Sequence, residues 1–129
     1  MISRTEIETI TLIAEERKRQ AHIAYVETIK QATRDYCSTT LSEELKETAD
    51  KPAHSFSFYV SLPDTDGDVR LVTRDSENST YYTERGDYYN LPEFEKFIKD
   101  HGFDVTVTDA TYRYNQRTSY SAKRITIKW

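Results

Sequence analysis

The chain has 129 residues and a formal net charge of −4, and ten of its sixteen aromatic residues are tyrosines. A chain of this length usually forms one domain with its own core, so we expect a single domain over residues 1–129. Three glycines exclude a glycine-rich phosphate loop, and the lone Cys37 excludes an intramolecular disulfide and a cysteine-based zinc site. No signal peptide or membrane-spanning window is visible. We therefore expect a cytoplasmic protein with no membrane association and no cofactor.

Residues 1–50 are predicted to be helical. Ser3 and Glu6 form a capping box, in which each side chain can bond the other residue's backbone N–H. Apolar residues then recur at helical spacing along one face: Ile7, Ile10, Ala14, Ala21, Tyr25, Ile29, Ala32 and Tyr36. This face is rich in alanine and suits close helix packing. The sequence therefore allows a homodimer through the N-terminal helix as well as packing within one chain.

A second capping box lies at Thr40 and Glu43. The β-branched pair Thr39-Thr40 weakens the first helix just before it. We therefore predict a separate short helix over residues 41–49, which Pro52 prevents from continuing.

Residues 54–129 are predicted to be rich in strands. Apolar residues alternate along 55–62 and again along 69–73, and an Asp-Gly pair between them indicates a hairpin. The polar region that follows is ambiguous. It allows a third strand over 79–83, with a turn at Arg85–Asp87.

A further helix is predicted near 91–101. Asn90 and Glu93 form a third capping box, and Gly102 is placed to end the helix in a left-handed conformation. Strands follow to the end of the chain, and a change in their apolar phase predicts a bulge or corner near Asp109. The expected fold is α+β, with N-terminal helices and one further helix packed on a mostly antiparallel sheet.

No motif for catalysis or metal binding stands out. Asp64, Asp66 and Asp68 resemble the start of a calcium loop, but Gly67 stands at the fourth position instead of the sixth, and Asp75 stands where such a loop has a glutamate. Cys37 and His101 have no partner at a spacing that indicates a nucleophile and its base. We assign no catalytic or metal-ligating residue, and a small enzyme built around either side chain is the third alternative.

Charge is segregated along the sequence. From residue 64 to 104 there are eleven acids and five bases, a net charge of −6, and two adjacent tyrosine pairs lie in the same segment. Tyrosine is enriched at protein interfaces, so this segment predicts a partner-binding surface, although core packing is the simpler role for the tyrosines. Its candidate residues are Asp64, Asp66, Asp68, Tyr81, Tyr82, Asp87, Tyr88 and Tyr89.

The last 21 residues have the opposite charge. From residue 109 to 129 there are five bases and one acid, interspersed with tyrosines. Single-stranded nucleic acid favours this mixture of cations and stacking rings, whereas the acidic sequence pI of about 5.4 argues against it. The alternative nucleic-acid-binding residues are Tyr112, Arg113, Tyr114, Arg117, Lys123 and Arg124.

The segments Phe97–Val107 and Arg124–Trp129 resemble the C-terminal ends of small accessory proteins encoded by phages and prophages. Some proteins of that type, including anti-CRISPR proteins, inhibit host defences. The resemblance implies a non-enzymatic inhibitor in a bacterial host cell. Its expected partner is a host defence protein, such as a nucleic-acid-binding CRISPR effector nuclease, captured through the acidic, tyrosine-rich surface.

Overall fold

The computed structural model describes all 129 residues, and the fold class is α+β. In chain order the elements are α1 (Arg4–Tyr36), a π-helical turn (Cys37–Leu41), α2 (Ser42–Asp50), β1 (Ser55–Ser61), β2 (Asp68–Arg74), β3 (Tyr82–Asn90), α3 (Leu91–Asp100), β4 (Asp104–Arg113) and β5 (Ser119–Lys128). The strands form one antiparallel sheet in the order β3-β2-β1-β5-β4.

The N-terminal part is one continuous helix, so the prediction of two separate helices is wrong. Glu6 N donates to Ser3 Oγ at 3.2 Å, which confirms the first cap. At Thr40 the backbone stays helical and passes through the π-helical turn into α2. The wider turn places Cys37 and Leu41 in the core, where they are 3% and 1% exposed. Burial of these side chains outweighs the weak helix propensity of the β-branched residues beside them.

The third strand begins and ends later than predicted, at Tyr82–Asn90 instead of 79–83. The expected turn at Arg85–Asp87 is wrong, because β3 runs through these residues as a β-bulge. The pairing register shifts between Arg70 and Leu71 of β2, and Gly86 has a φ of +79°. Glycine adopts this backbone conformation without strain, so the strand continues beyond the irregularity.

The prediction of a bulge or corner near Asp109 is also wrong. β4 pairs with β5 in one unbroken register from Asp104 to Arg113. The apolar residues switch from odd to even positions because the two halves of β4 are buried on different faces of the sheet. Val107 packs against the main core, whereas Tyr112 is buried on the opposite face of the sheet.

The sequence signals around α3 are confirmed. Glu93 N donates to Asn90 Oδ1 at 3.1 Å, and Gly102 follows the helix with a φ of +89°. α3 and the end of the long helix cover the same face of the sheet. The main core between them contains Cys37, Leu41, Val60, Val69, Leu91, Phe94, Ile98, Ile125 and Ile127.

The first half of α1 extends beyond this body, and residues 1–25 are all exposed. α1 enters the core through Ile29 and Thr33. Thr33 Oγ1 accepts a 2.8 Å hydrogen bond from Asn90 N, and Arg34 pairs with Glu93 at 3.0 Å. No helix of the chain combines the length and the apolar character needed to cross a membrane.

Candidate functional site

One face of the sheet is covered by no helix. Residues paired directly across an antiparallel ladder share a face, so the register defines its composition. The positions on this uncovered face include Tyr59, Arg70, Val72, Arg74, Tyr82, Glu84, Tyr88, Tyr112, Tyr120, Ala122 and Arg124. Five of the chain's ten tyrosines therefore lie on one surface together with three arginines.

Each of these arginines lies over a tyrosine ring. The distances from guanidinium carbon to ring centroid are 5.7 Å for Arg70 over Tyr88, 5.9 Å for Arg74 over Tyr82 and 6.0 Å for Arg124 over Tyr59. These distances are within the range of cation–π attraction. Arg74 Nε also donates to Tyr82 Oη at 3.0 Å. The face thus presents planar cations and aromatic rings in fixed pairs.

The uncovered face is concave. Tyr112 Oη donates to Glu84 Oε1 at 3.2 Å, although these residues lie on the two opposite edge strands. In a flat five-stranded sheet the edges are about 19 Å apart, which is farther than the two side chains can span. The sheet must therefore coil until opposite edges approach each other. Burial, with a smaller contribution from Glu84, raises the pKa of Tyr112 to about 12.

A small apolar cluster stabilises this curvature. Val72, Tyr112 and Ala122 are 4%, 7% and 1% exposed, and Tyr59 and Tyr82 pack against them. No helix contributes to this cluster. The rings of two arginine–tyrosine pairs, Tyr59 and Tyr82, therefore pack against a buried cluster that limits their motion.

An open groove of about 600 Å³ lies at one end of the same face. Its walls include Asp64 and Asp68 near the start of β2, Glu84 and Tyr88 of β3, and Tyr120 of β5. This end of the face is acidic. Arg74 lies at the opposite end of β2, and Arg124 lies level with Glu84 between the two ends.

The aspartates predicted as partner-binding residues form one cluster. Asp64, Asp66 and Asp68 bring carboxylate oxygens within 4.8 Å of one another in the β1–β2 turn. Asp64 Oδ1 accepts from the backbone N–H groups of the other two at 2.9 Å, which explains the turn without a ligand. Asp68 is only 4% exposed and accepts from Asn90 Nδ2 at 3.3 Å. Burial raises the pKa of the Asp68 carboxyl.

The predicted tyrosine pairs are divided between environments. Tyr88 is 47% exposed on the uncovered face, whereas its neighbour Tyr89 packs in the main core against Tyr36 at a centroid distance of 5.0 Å. Tyr82 belongs to the uncovered face, and Tyr81 is half-buried just before the strand. The nearby Asp87 is exposed in the bulge of β3.

The predicted nucleic-acid-binding residues are also divided. Tyr112 and Arg124 lie on the uncovered face, and Tyr114 packs against Tyr120 beside it at 5.9 Å. Arg113 and Lys123 lie at positions of the opposite face, where Lys123 pairs with Asp109. The remaining candidate, Arg117, is exposed in the β4–β5 hairpin.

Cys37 and His101 border the same small apolar cavity of about 60 Å³. Burial raises the pKa of the Cys37 thiol to about 12, which opposes formation of a nucleophilic thiolate. His101 stacks on Phe97 at 4.2 Å, and its Nδ1 lies 2.8 Å from the carbonyl oxygen of the same residue. This arrangement explains both side chains by packing.

Sequence reasoning missed Tyr59, Arg70 and Arg74 as functional candidates. The alternation of side chains along a strand could have indicated them, because every second residue of β1 and β2 points to the uncovered face. The pairing order of the strands was needed to show that these residues meet Tyr82 and Arg124. That order is a long-range property which local spacing does not contain.

No protein-family model, curated protein or solved structure matches this chain. The functional proposals below therefore rest on the uncovered face and its acidic groove.

Proposed function

We propose that the protein binds single-stranded nucleic acid on the uncovered face of its sheet. One observation carries this proposal: three arginine–tyrosine pairs are held on a concave sheet surface that the protein's own helices leave open. Flat aromatic rings can stack on bases of any sequence, and guanidinium groups attract the phosphates between them. Sequence preference is expected to be weak.

The overall negative charge does not oppose this function, because the acids are concentrated elsewhere. Residues 1–50 alone carry ten of the 22 acids. The uncovered face carries Arg70, Arg74, Arg124 and Lys128 against Asp68, Glu84 and Asp104. Binding is expected around Arg74 and Arg124, away from Asp64 and Asp68.

Fluorescence anisotropy with labelled oligo(dT) and oligo(U) tests this proposal. If three arginines each contact a phosphate, raising salt from about 50 to about 200 mM should weaken binding roughly twentyfold. Arg124→Ala is expected to weaken binding about tenfold, since it removes a charge and a stacking surface. Arg124→Lys, which keeps only the charge, should give an intermediate value.

Arg113→Ala is the matched control, because Arg113 lies in β4 at a position of the opposite face. The affinity of this variant should stay within about twofold of the unmodified protein, because a charge that contacts no phosphate is largely screened by salt. Equal losses in the Arg113 and Arg124 variants would favour the whole basic C-terminal segment over the sheet face. No binding at low salt would reject nucleic-acid recognition by either surface.

The second proposal is an inhibitor that binds a host defence protein, such as a CRISPR effector nuclease. The acidic groove favours it, because three carboxylates and two tyrosine rings surround one open space. Such a groove suits a lysine- or arginine-bearing segment of a partner, through charge attraction and cation–π contact. The protein would then act without any chemical step of its own.

Removing charge from the exposed groove carboxylates tests the second proposal. Asp64→Asn with Glu84→Gln should abolish capture of a purified CRISPR effector nuclease, whereas Asp75→Asn, outside the groove, should not. Asp68 is left unchanged because it is buried and bonded to Asn90, and asparagine at position 64 keeps the Oδ1 acceptor that holds the turn. Capture that survives the double change would overturn an acidic docking site.

A further inference from the structure

One of the three arginines on the uncovered face lies beside a carboxylate. Arg70 Nη1 is 3.9 Å from Glu84 Oε2, and the side chains of the two residues are 33% and 38% exposed. Arg70 Nε also donates to the carbonyl oxygen of Gly86 at 3.3 Å. The guanidinium carbon lies 5.7 Å from the centroid of the Tyr88 ring. Arg70 therefore contacts three different groups of β3, and one of them carries the opposite charge.

The other two arginines have different surroundings. Arg74 Nε donates to Tyr82 Oη at 3.0 Å, and Arg124 lies over the Tyr59 ring at 6.0 Å. Neither arginine forms an ion pair with a carboxylate. A neutral phenol leaves the charge of its arginine available to a phosphate, whereas a carboxylate about 4 Å away opposes the charge of Arg70.

Glu84 is held in place from the far edge of the sheet. Tyr112 Oη donates to Glu84 Oε1 at 3.2 Å, and the second oxygen, Oε2, is the one that faces Arg70. The Tyr112 ring is 7% exposed and packs with Val72 and Ala122. Because a packed ring has little freedom to move, its hydroxyl fixes the carboxylate over the concave face.

We propose that Glu84 competes with phosphate for Arg70 and so limits the affinity of the uncovered face for nucleic acid. This inference rests on the proposed binding function. A carboxylate and a phosphate both offer oxygen acceptors that pair with a guanidinium group. A phosphate that contacts Arg70 is placed next to the Glu84 carboxylate, and the repulsion offsets the attraction. The unmodified protein therefore holds phosphates through Arg74 and Arg124 alone.

The salt dependence of binding counts the arginines that contact phosphates. On a single strand, each neutralised phosphate adds about 0.7 to the slope of log affinity against log salt. When salt rises from about 50 to about 200 mM, two contacts predict a loss of about sevenfold, and three contacts predict a loss of about twentyfold. The unmodified protein should show the smaller loss. Glu84→Gln, which releases Arg70, should show the larger one.

Fluorescence anisotropy with labelled oligo(dT) should compare four proteins: unmodified, Glu84→Gln, Arg70→Ala and the combined variant. Glutamine keeps an oxygen that accepts from Tyr112, so the fold should be retained, and circular dichroism checks this. At about 50 mM salt, Glu84→Gln should tighten binding about fivefold, the effect of a unit charge about 4 Å away in water. Arg70→Ala should weaken binding by less than about twofold alone, and by about fivefold in the Glu84→Gln background.

Glu47→Gln is the matched control, because it removes the same charge from an exposed position of α2, a helix that packs on the main core. Its affinity should stay within about twofold of the unmodified protein. No binding by any of these proteins would refute the proposed function and this inference with it. If the proteins bind, an unchanged affinity of Glu84→Gln, equal losses for Arg70→Ala in both backgrounds, or equal gains for Glu47→Gln and Glu84→Gln would overturn the role of Glu84 alone.

Discussion

Tyr112→Phe removes the one hydroxyl that connects β4 with β3 across the uncovered face. Tyr112 Oη donates to Glu84 Oε1 at 3.2 Å. The ring itself is 7% exposed and packs beside Val72 and Ala122. These packing contacts remain in the phenylalanine variant. The change therefore isolates the hydrogen bond from the apolar cluster.

The size of the effect follows from the surroundings of Glu84. A hydrogen bond to a charged partner contributes more than a neutral one, but the Glu84 side chain is 38% exposed and lies 3.9 Å from Arg70. Water and Arg70 can partly replace the lost donor. We expect the free energy of unfolding to fall by about 1 kcal/mol. For a chain of this length, that lowers Tm by about 4 °C.

Urea denaturation followed by circular dichroism measures this loss, with Tyr114→Phe as the control. Tyr114 is 46% exposed, so water can replace any contact of its hydroxyl. The control should change the free energy of unfolding by less than about 0.5 kcal/mol. Adding Glu84→Ala, which removes the acceptor, to each variant completes a double-mutant cycle, and only the Tyr112 cycle should show coupling.

The same residue predicts a pH dependence. The pKa of Tyr112 is raised to about 12, from an ordinary value near 10, mainly by burial. The folded state therefore favours the neutral phenol. Its contribution to stability is complete below about pH 10 and is lost as the pH rises towards 12. Tyr112→Phe should lose less stability over that interval than the unmodified protein.

Equal stability of the Tyr112 and Tyr114 variants would contradict a connection between the two edge strands. So would the absence of any coupling with Glu84. The concave shape of the uncovered face would then lack its main polar support.

Three further predictions test the fold around the site. Phe94 is fully buried at the centre of the main core, so Phe94→Ala should lower the free energy of unfolding, measured by urea denaturation, by about 3–5 kcal/mol. The control Leu62→Ala, at a residue 52% exposed, should lower it by less than about 0.5 kcal/mol. Cys37 should react with a disulfide reagent at neutral pH only in step with unfolding, because burial raises the pKa of its thiol to about 12; rapid reaction of the folded protein would contradict that burial. Asn90→Ala removes the α3 cap and should cost about 1–2 kcal/mol, whereas Asn78→Ala, in an exposed loop, should leave Tm unchanged, and similar losses for both would argue against the cap.

Local signals in the sequence predicted several elements correctly. The caps at Ser3 and Asn90 are formed by residues three positions apart, so a short window contains all the information needed. The alternation in β1 and β2 likewise reflects one buried face per strand. The α+β class follows from these local patterns.

The errors occur where long-range packing decides the outcome. The helix continues past Thr40 because Cys37 and Leu41 reach a core built from distant strands. β3 continues past Gly86 because β2 supplies its hydrogen-bond partners. Neither the distant strands nor their pairing can be identified from the residues next to these positions.

The sequence predicted only some residues of the candidate site, for the same reason. The charge and tyrosine content of two segments indicated binding surfaces, and Tyr82, Tyr88, Tyr112 and Arg124 were among the candidates. Their common location depends on the strand order, which places β5 beside β1 and coils β3 towards β4. The division of Tyr88 and Tyr89 between two faces also required that register.

An NMR titration of the ¹⁵N-labelled protein with a short single-stranded oligonucleotide tests the binding face most directly. Nucleic-acid recognition predicts shifts concentrated at Tyr59, Arg74, Tyr82 and Arg124, with residues of α2 and α3 unaffected. Shifts confined to the β4–β5 hairpin or to α1, or none at saturating oligonucleotide, would contradict binding on the uncovered sheet.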